Sequence, residues 1–334
     1  MKKLDWKRMA AGLPALLLAG LVVWLVFRNH YREILSSLRS VSPAGATVLF
    51  ALAAGYQAFE ALVCRELVRA RLADFSYLEA LEVTFLGVFG NVATFAVGSI
   101  PLQSCRLHQS GLTVGHGIGI MTVDYIFHKL TILLYAAVML LLQGRWLSAA
   151  YPGLSGYLAA GCCLCALIIA ALVLVCTWER VKSLALRCIG LLPETGKWAR
   201  RKAAWRANVE SLYGEAQHVL KNRSCCLKAL LLNFLKFLCL YAAVSLSIRL
   251  VGGPALPFWR VQLLASVMVL ISSALPNVAG IGPAEFSFLL IFSQFMDYAL
   301  ASSALLLYRA ATYFFPFAVS ALFLLWTRKR MVPA

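Results

Sequence analysis

The sequence predicts an all-α integral membrane protein of about six full spans and two re-entrant helical hairpins that enter the bilayer from opposite sides. Two observations carry that expectation. Of the 334 residues 61% are hydrophobic and 13% are charged, against roughly 25% charged in a soluble domain. The Lys/Arg-rich connections, moreover, can all share one side of a membrane only if two apolar segments fail to cross it.

Taken in order, the N-terminus MKKLDWKRMAAGLPALLLAGLVVWLVF starts like a signal peptide. Its apolar run is close to the roughly 20 residues needed to span, and no A-x-A site follows, so it reads as a retained helix over 9–27. Further apolar runs predict helices over 44–64, 77–100, 114–142, 156–177, 228–249, an interrupted 260–297 and 301–326. The one long polar stretch, 178–228, holds eleven Lys/Arg against four Glu. Its charge assigns it to the cytoplasm. Its interspersed Trp198, Trp205, Leu212 and Tyr213 suit helices lying on an anionic leaflet, or else a plain solvated loop. The whole chain, 1–334, then reads as one transmembrane unit with 178–228 a basic cytoplasmic loop within it.

The N-terminal Lys2, Lys3, Lys7 and Arg8, the segment 65–76 with Arg65, Arg69 and Arg71, and the RKR of 328–330 belong on the same side. If 77–100 crossed fully, the basic loop would fall outside. A hairpin over 77–113 entering from the cytoplasm returns it inside, and 260–297 must then dip in from the opposite face. The loop 28–43, with Arg28, Arg32 and Arg39 against Glu33, runs against this topology.

The two hairpin segments resemble each other. The first reads GNVATFAVGSIPLQSCR (90–106) and the second PNVAGIGPAEF (276–286). Asn91 precedes Asp124 by 33 residues; Asn277 precedes Arg309 by 32. The charges swap, Arg106 and Asp124 in one half against Glu285 and Arg309 in the other. Such matched breaks in opposed segments point to an inverted repeat whose broken helices meet near mid-membrane. Breaks are expected at Asn91, Gly98 and Pro101 and at Pro276, Asn277, Gly280, Gly282 and Pro283. Glycine permits the turn, proline stops the helix, and irregular backbone survives in a bilayer only where it is buried or lines a polar cavity. N–H groups freed at the second break are positioned to face an anion.

Ionisable side chains inside apolar helices need partners or a wet cavity. We expect Asp124 to pair with Arg309 and Arg106 with Glu285 across the repeat, either as static locks or as part of a head-group path, where arginine suits phosphate. His128, four residues after Asp124, shares its face and is either a hydrogen-bonded structural residue or a proton relay. Lys129 and Lys236 sit in apolar helices. Lys236 either snorkels or joins the same cavity, and Glu60 and Glu82 are candidate counter-charges with unassigned partners. The ten cysteines lie mostly in apolar runs, where a thiol acts as a small hydrophobe, so neither metal nor disulfide is expected. No phosphate-binding loop, H-E-x-x-H or G-x-S-x-G occurs, and no cofactor is implied. The net charge of +17 is read as topology and contact with anionic lipid rather than nucleic acid.

At these residues the chain resembles the transmembrane region of bacterial lysylphosphatidylglycerol synthases, the flippase-like membrane family. The likeness rests on FLGVFGNVATFAVGSIPLQSCR (85–106), on PNVAGIGPAEF as a P-x-x-G-G-x-G-x-x-E box, and on the Arg of LLYRAA (306–311). Ala279 stands where the box usually has its first Gly, and Val92-Ala93 replaces a usual Pro-Gly. The resemblance implies a bacterial inner-membrane protein with cytoplasmic termini that moves a lipid, anionic or modified at its head group, without ATP hydrolysis. Arg106, Asp124, Glu285, Arg309, Lys129 and His128 would line the path. It also leaves two other readings open. One is an accessory protein that anchors a lipid- or glycan-synthesis enzyme through 178–228. The other is a membrane-embedded transferase with Glu285 or Asp124 as general base.

Overall fold

The computed structural model describes residues 36–94, 98–150, 178–191, 196–275 and 281–331, with isolated positions between 163 and 174. Its elements are helices: α1 (Pro43–Arg69), α2 (Tyr77–Ala93), α3 (Ser99–Gln109), α4 (Val114–Ala150), α5 (Glu179–Gly190), α6 (Gly196–Lys221), α7 (Arg223–Leu250), α8 (Phe258–Ala274), α9 (Pro283–Phe292), α10 (Tyr298–Arg309), a π-helical turn (Ala310–Phe314) and α11 (Phe315–Met331). Side-chain caps fix several starts. Ser42 accepts the Gly45 N–H, with Pro43 opening α1. Ser76 and Glu79 form a reciprocal capping box on α2, and Asn222 accepts the Cys225 N–H on α7. Each satisfies a donor that the first helical turn leaves orphaned.

Four described helices are long and apolar enough to cross a membrane: Pro43–Arg69, Val114–Ala149, Arg223–Leu250 and Tyr298–Leu324. The expected spans over 9–27 and 156–177 lie outside the described residues, apart from isolated positions of the second. The segment 77–109 breaks into α2 and α3, which pack on each other. The segment 258–292 breaks likewise into α8 and α9. Their 17- and 11-residue legs, and 17- and 10-residue legs, extend about 26 Å at most at 1.5 Å per residue, short of a hydrocarbon core about 30 Å thick.

The order long helix, broken pair, long helix occurs twice, α1–α4 and α7–α11. Its packing is reciprocal. The first leg of each pair lies against the final helix of the other half, α2 on α11 and α8 on α4, while α1 and α7 run side by side. Two apolar cores divide the long helices between them. One core takes the start of α1 (Leu49, Ala53), the ends of α4 and α7, and α8–α10. The other takes the end of α1 (Ala61 to Val68), the starts of α4 and α7, α2, and Leu107 of α3. Helices α1 and α7 therefore run in opposite directions, and each hairpin packs in the core where its own long helix ends. That is the arrangement of an inverted repeat.

The polar stretch after residue 178 is helical rather than a plain loop. The end of α6 docks on the connection after α1 and on the start of α4. Buried Glu215 is held by both forks of Arg71 at 3.0 and 3.2 Å, with His116 at 3.7 Å. His218 contacts the Ala70 carbonyl and Ser211 donates to that of Gly115.

Candidate functional site

The first break is built from Thr94, whose hydroxyl donates to the Gly90 carbonyl at 2.6 Å and accepts the Gly98 N–H at 2.5 Å. Asn91 lies in the last turn of α2, Gly98 caps α3, and Pro101 sits in the first turn of α3, where its missing N–H leaves no bond unmade. At the second break Gly282 has φ +107°, a conformation that favours glycine, and Pro283 opens α9. Pro276, Asn277 and Gly280 fall outside the described residues.

Glu285 explains why a carboxylate follows this break. It accepts the Gly282 N–H at 2.7 Å and pairs with Arg309 at 2.7 Å. The Gly282 N–H, expected to face an anion, is thus satisfied within the chain. Arg309 also lies over the Tyr313 ring at 4.1 Å, as a cation–π pair. The π-turn begins right after it, and Pro316 follows in α11. A proline lacks the N–H and clashes with the carbonyl four residues back, and a π-turn is a known way to absorb such a mismatch. The turn brings Thr312 and Tyr313 onto a cavity wall.

The expected cross-repeat pairs are not formed. Arg106 binds Glu82 at 2.5 Å, with Glu79 at 3.9 Å and Ser110 at 2.8 Å, so it staples the base of its own hairpin. Arg309 pairs with Glu285 of its own half rather than with Asp124. The reason is distance along the helix. Arg106 stands eight residues past Gly98 while Glu285 stands three past Gly282, a difference of about 7 Å at 1.5 Å per residue. The two residues cannot be mirror equivalents.

What the fold gathers instead is a polar cavity of about 310 Å³ at the seam between the two apolar cores. Its walls carry Tyr56, Gln57 and Glu60 of α1, Thr84 and Asn91 of α2, Ser99 and Gln103 of α3, Asp124 and His128 of α4, and the π-turn. Asp124 lies ten residues into α4, about 15 Å along the axis from its start and inside the stretch long and apolar enough to span. Lys236 of α7 neither snorkels nor faces water. It is fully buried, and its ammonium donates to Glu60 at 2.5 Å and to His128 Nδ1 at 3.0 Å, beside the rings of Tyr56 and Phe237. Three cavity side chains more than nine-tenths buried, Gln57, Thr84 and Asp124, each hold an oxygen with no hydrogen-bond partner among the described residues. A second cavity of about 410 Å³ shares Asn91, Ser99 and Tyr125 with the first and adds Lys129, Ser272, Ser273 and Leu275. It joins the first hairpin's break to the end of α8. Lys129 therefore lines this neighbour rather than sharing a chamber with Lys236, whose contacts lie on the first.

Of the candidate path residues, Asp124, His128 and Lys129 line these two cavities, while Arg106, Glu285 and Arg309 frame the hairpins around them. The Glu60–Lys236 pair and the orphaned Gln57 and Thr84 were not assigned from sequence. No group of three metal-ligating side chains occurs among the described residues.

Residues 13–320 match the lysylphosphatidylglycerol synthase TM region family. The chain belongs to that family. The match covers nearly the whole sequence, including both hairpins and the cavity, so the shared region is the membrane bundle itself. A comparison with curated proteins returned no match.

Proposed function

We propose that this family member translocates a lipid across the membrane without ATP hydrolysis, its head group passing through the seam cavity while its acyl chains stay in the bilayer. The observation that carries this reading is the cavity. It carries polar side chains, lies among the helices long and apolar enough to span, is walled by both halves of the repeat, and contains buried oxygens with no partner among the described residues. Unsatisfied polar groups buried in this way are costly unless something polar visits them. Residues flanking the two breaks, Asn91 and Ser99 on one side and Ser272, Ser273 and Leu275 on the other, border the adjoining cavity, as half-helices of an inverted repeat border the substrate in many transporters. Family membership supports a role in lipid modification or lipid flipping. The substrate class is an anionic or modified phospholipid head group. The setting is the bacterial inner membrane with both termini cytoplasmic, matching the basic α5–α6 face.

The test is exchange of head-group-labelled phosphatidylglycerol between leaflets of proteoliposomes. Val88→Trp, which fills the cavity wall without touching a charge, is expected to slow exchange tenfold or more. Arg106→Gln, at the hairpin base, should stay within about threefold of wild type. Equal rates for Val88→Trp and wild type would count against this route. A covalently altered lipid among the products would favour transferase chemistry.

A further inference from the structure

We infer that the seam cluster is a proton-binding site, and that lipid movement is coupled to uptake and release of one proton at Asp124. This rests on the translocation reading and deepens it by naming the ion that drives the movement.

The argument is a count of charges and donors. Lysine has donors only, so in the Lys236–His128 contact the imidazole Nδ1 accepts. The ring proton is then on Nε2, and the ring is neutral. Lys236 and Glu60 cancel. Asp124 makes no ion pair among the described residues, and its Oδ1 has no hydrogen-bond partner. The titratable groups on the cavity wall are Tyr56 and Glu60 of α1, Tyr125 and His128 of α4, and Tyr313 of the π-turn. Behind them stand Lys236 of α7, bound to Glu60 and His128, and Arg309 of α10, over Tyr313 and paired with Glu285. Lys129 acts on His128 but lines the neighbouring cavity, its ammonium 5.3 Å from the Tyr125 ring. The cation of this cluster, Lys236, is already bound to Glu60.

With Asp124 ionised the seam carries one net negative charge. With Asp124 protonated it is neutral. Protonation also gives Asp124 a donor beside two other partnerless oxygens of the same wall, Gln57 Oε1 and Thr84 Oγ1. On release the Asp124 O–H bond breaks, its proton passes to cavity water, and the carboxylate left behind lines the same cavity as Glu60 and His128, the two partners of Lys236. The same site can thus hold the proton while open to one side and give it up to the other, which ties the direction of lipid movement to a pH gradient.

The full chain in proteoliposomes, with labelled phosphatidylglycerol, a one-unit pH gradient and the membrane voltage clamped by potassium and valinomycin, tests this. The readout is the steady-state share of label in each leaflet, not the rate. One proton per lipid predicts about a tenfold asymmetry that reverses with the gradient. Asp124→Asn, at whatever rate it retains, should level to equal leaflets. If wild type exchanges lipid yet stays symmetric under the gradient, the inference is overturned and translocation survives. If wild type exchanges nothing, translocation falls and the inference with it. The same asymmetry in Asp124→Asn as in wild type would remove Asp124 from the role. Should that variant fail to fold, the wild-type reversal decides the coupling alone.

Discussion

The hairpin charges and the seam charges of this protein are arranged on different principles. Two arginines close on carboxylates of their own half: Arg106 on Glu82 between the legs of the first pair, and Arg309 of α10 on Glu285 beside the second break. At the seam the charges come from α1, α4 and α7: two carboxylates, Glu60 and Asp124, line one cavity, and one buried lysine binds the first of them. A closed pair fixes geometry and has nothing left to offer. An open set holds capacity to bind, and this is the physical ground for placing function at the seam and structure in the hairpins.

The comparison can be broken or sharpened by a ranked set of substitutions. The largest loss of stability is expected for Lys236→Met, which strands Glu60 without its partner. Breaking one side of a buried ion pair costs about 3–5 kcal/mol, and adding Glu60→Gln should recover much of it. Thermal unfolding in detergent reads both. Next comes Glu285→Ala, which removes the Gly282 cap and the Arg309 partner together for about 2–3 kcal/mol. Glu285→Gln keeps an acceptor and should lose less. Gly282→Ala forces a Cβ into positive φ and is expected to cost about 1–2 kcal/mol, again as a lowered midpoint. Arg71→Ala is of similar size, about 1–2 kcal/mol, because it takes the guanidinium from buried Glu215 while His116 stays at 3.7 Å, and it is local: amide exchange should quicken most in α6. The smallest effect on stability belongs to Asp124→Asn, about 1 kcal/mol or less, because the carboxylate makes no ion pair among the described residues that the change would break. If Asp124→Asn unfolded the protein as Lys236→Met is expected to, the seam would be another closed lock and the contrast would fail.

The breaks were legible because glycine and proline act on the backbone locally. Gly98, Pro101, Gly282 and Pro283 end or start helices where the sequence placed them. The shared face of Asp124 and His128 followed from a four-residue spacing, and both line the cavity. Pairing across helices was not legible. Glu60 and Lys236 are 176 residues apart, and nothing in their local spacing selects one for the other. The swapped charges do not predict the pairs, because Arg106 lies a further turn and more from its break than Glu285 does from its own. Pro316 inside an apolar run was a usable signal for the π-turn that carries Tyr313 to the wall.

The most direct test of the central claim is where a lipid with a photoreactive head group labels the protein during exchange. The account predicts adducts on the cavity walls, in 56–60 of α1 and 124–128 of α4, lost when Val88→Trp fills the space. Adducts confined to the hairpin base around Glu82 and Arg106, or to outward-facing Leu141 and Leu142, would contradict it.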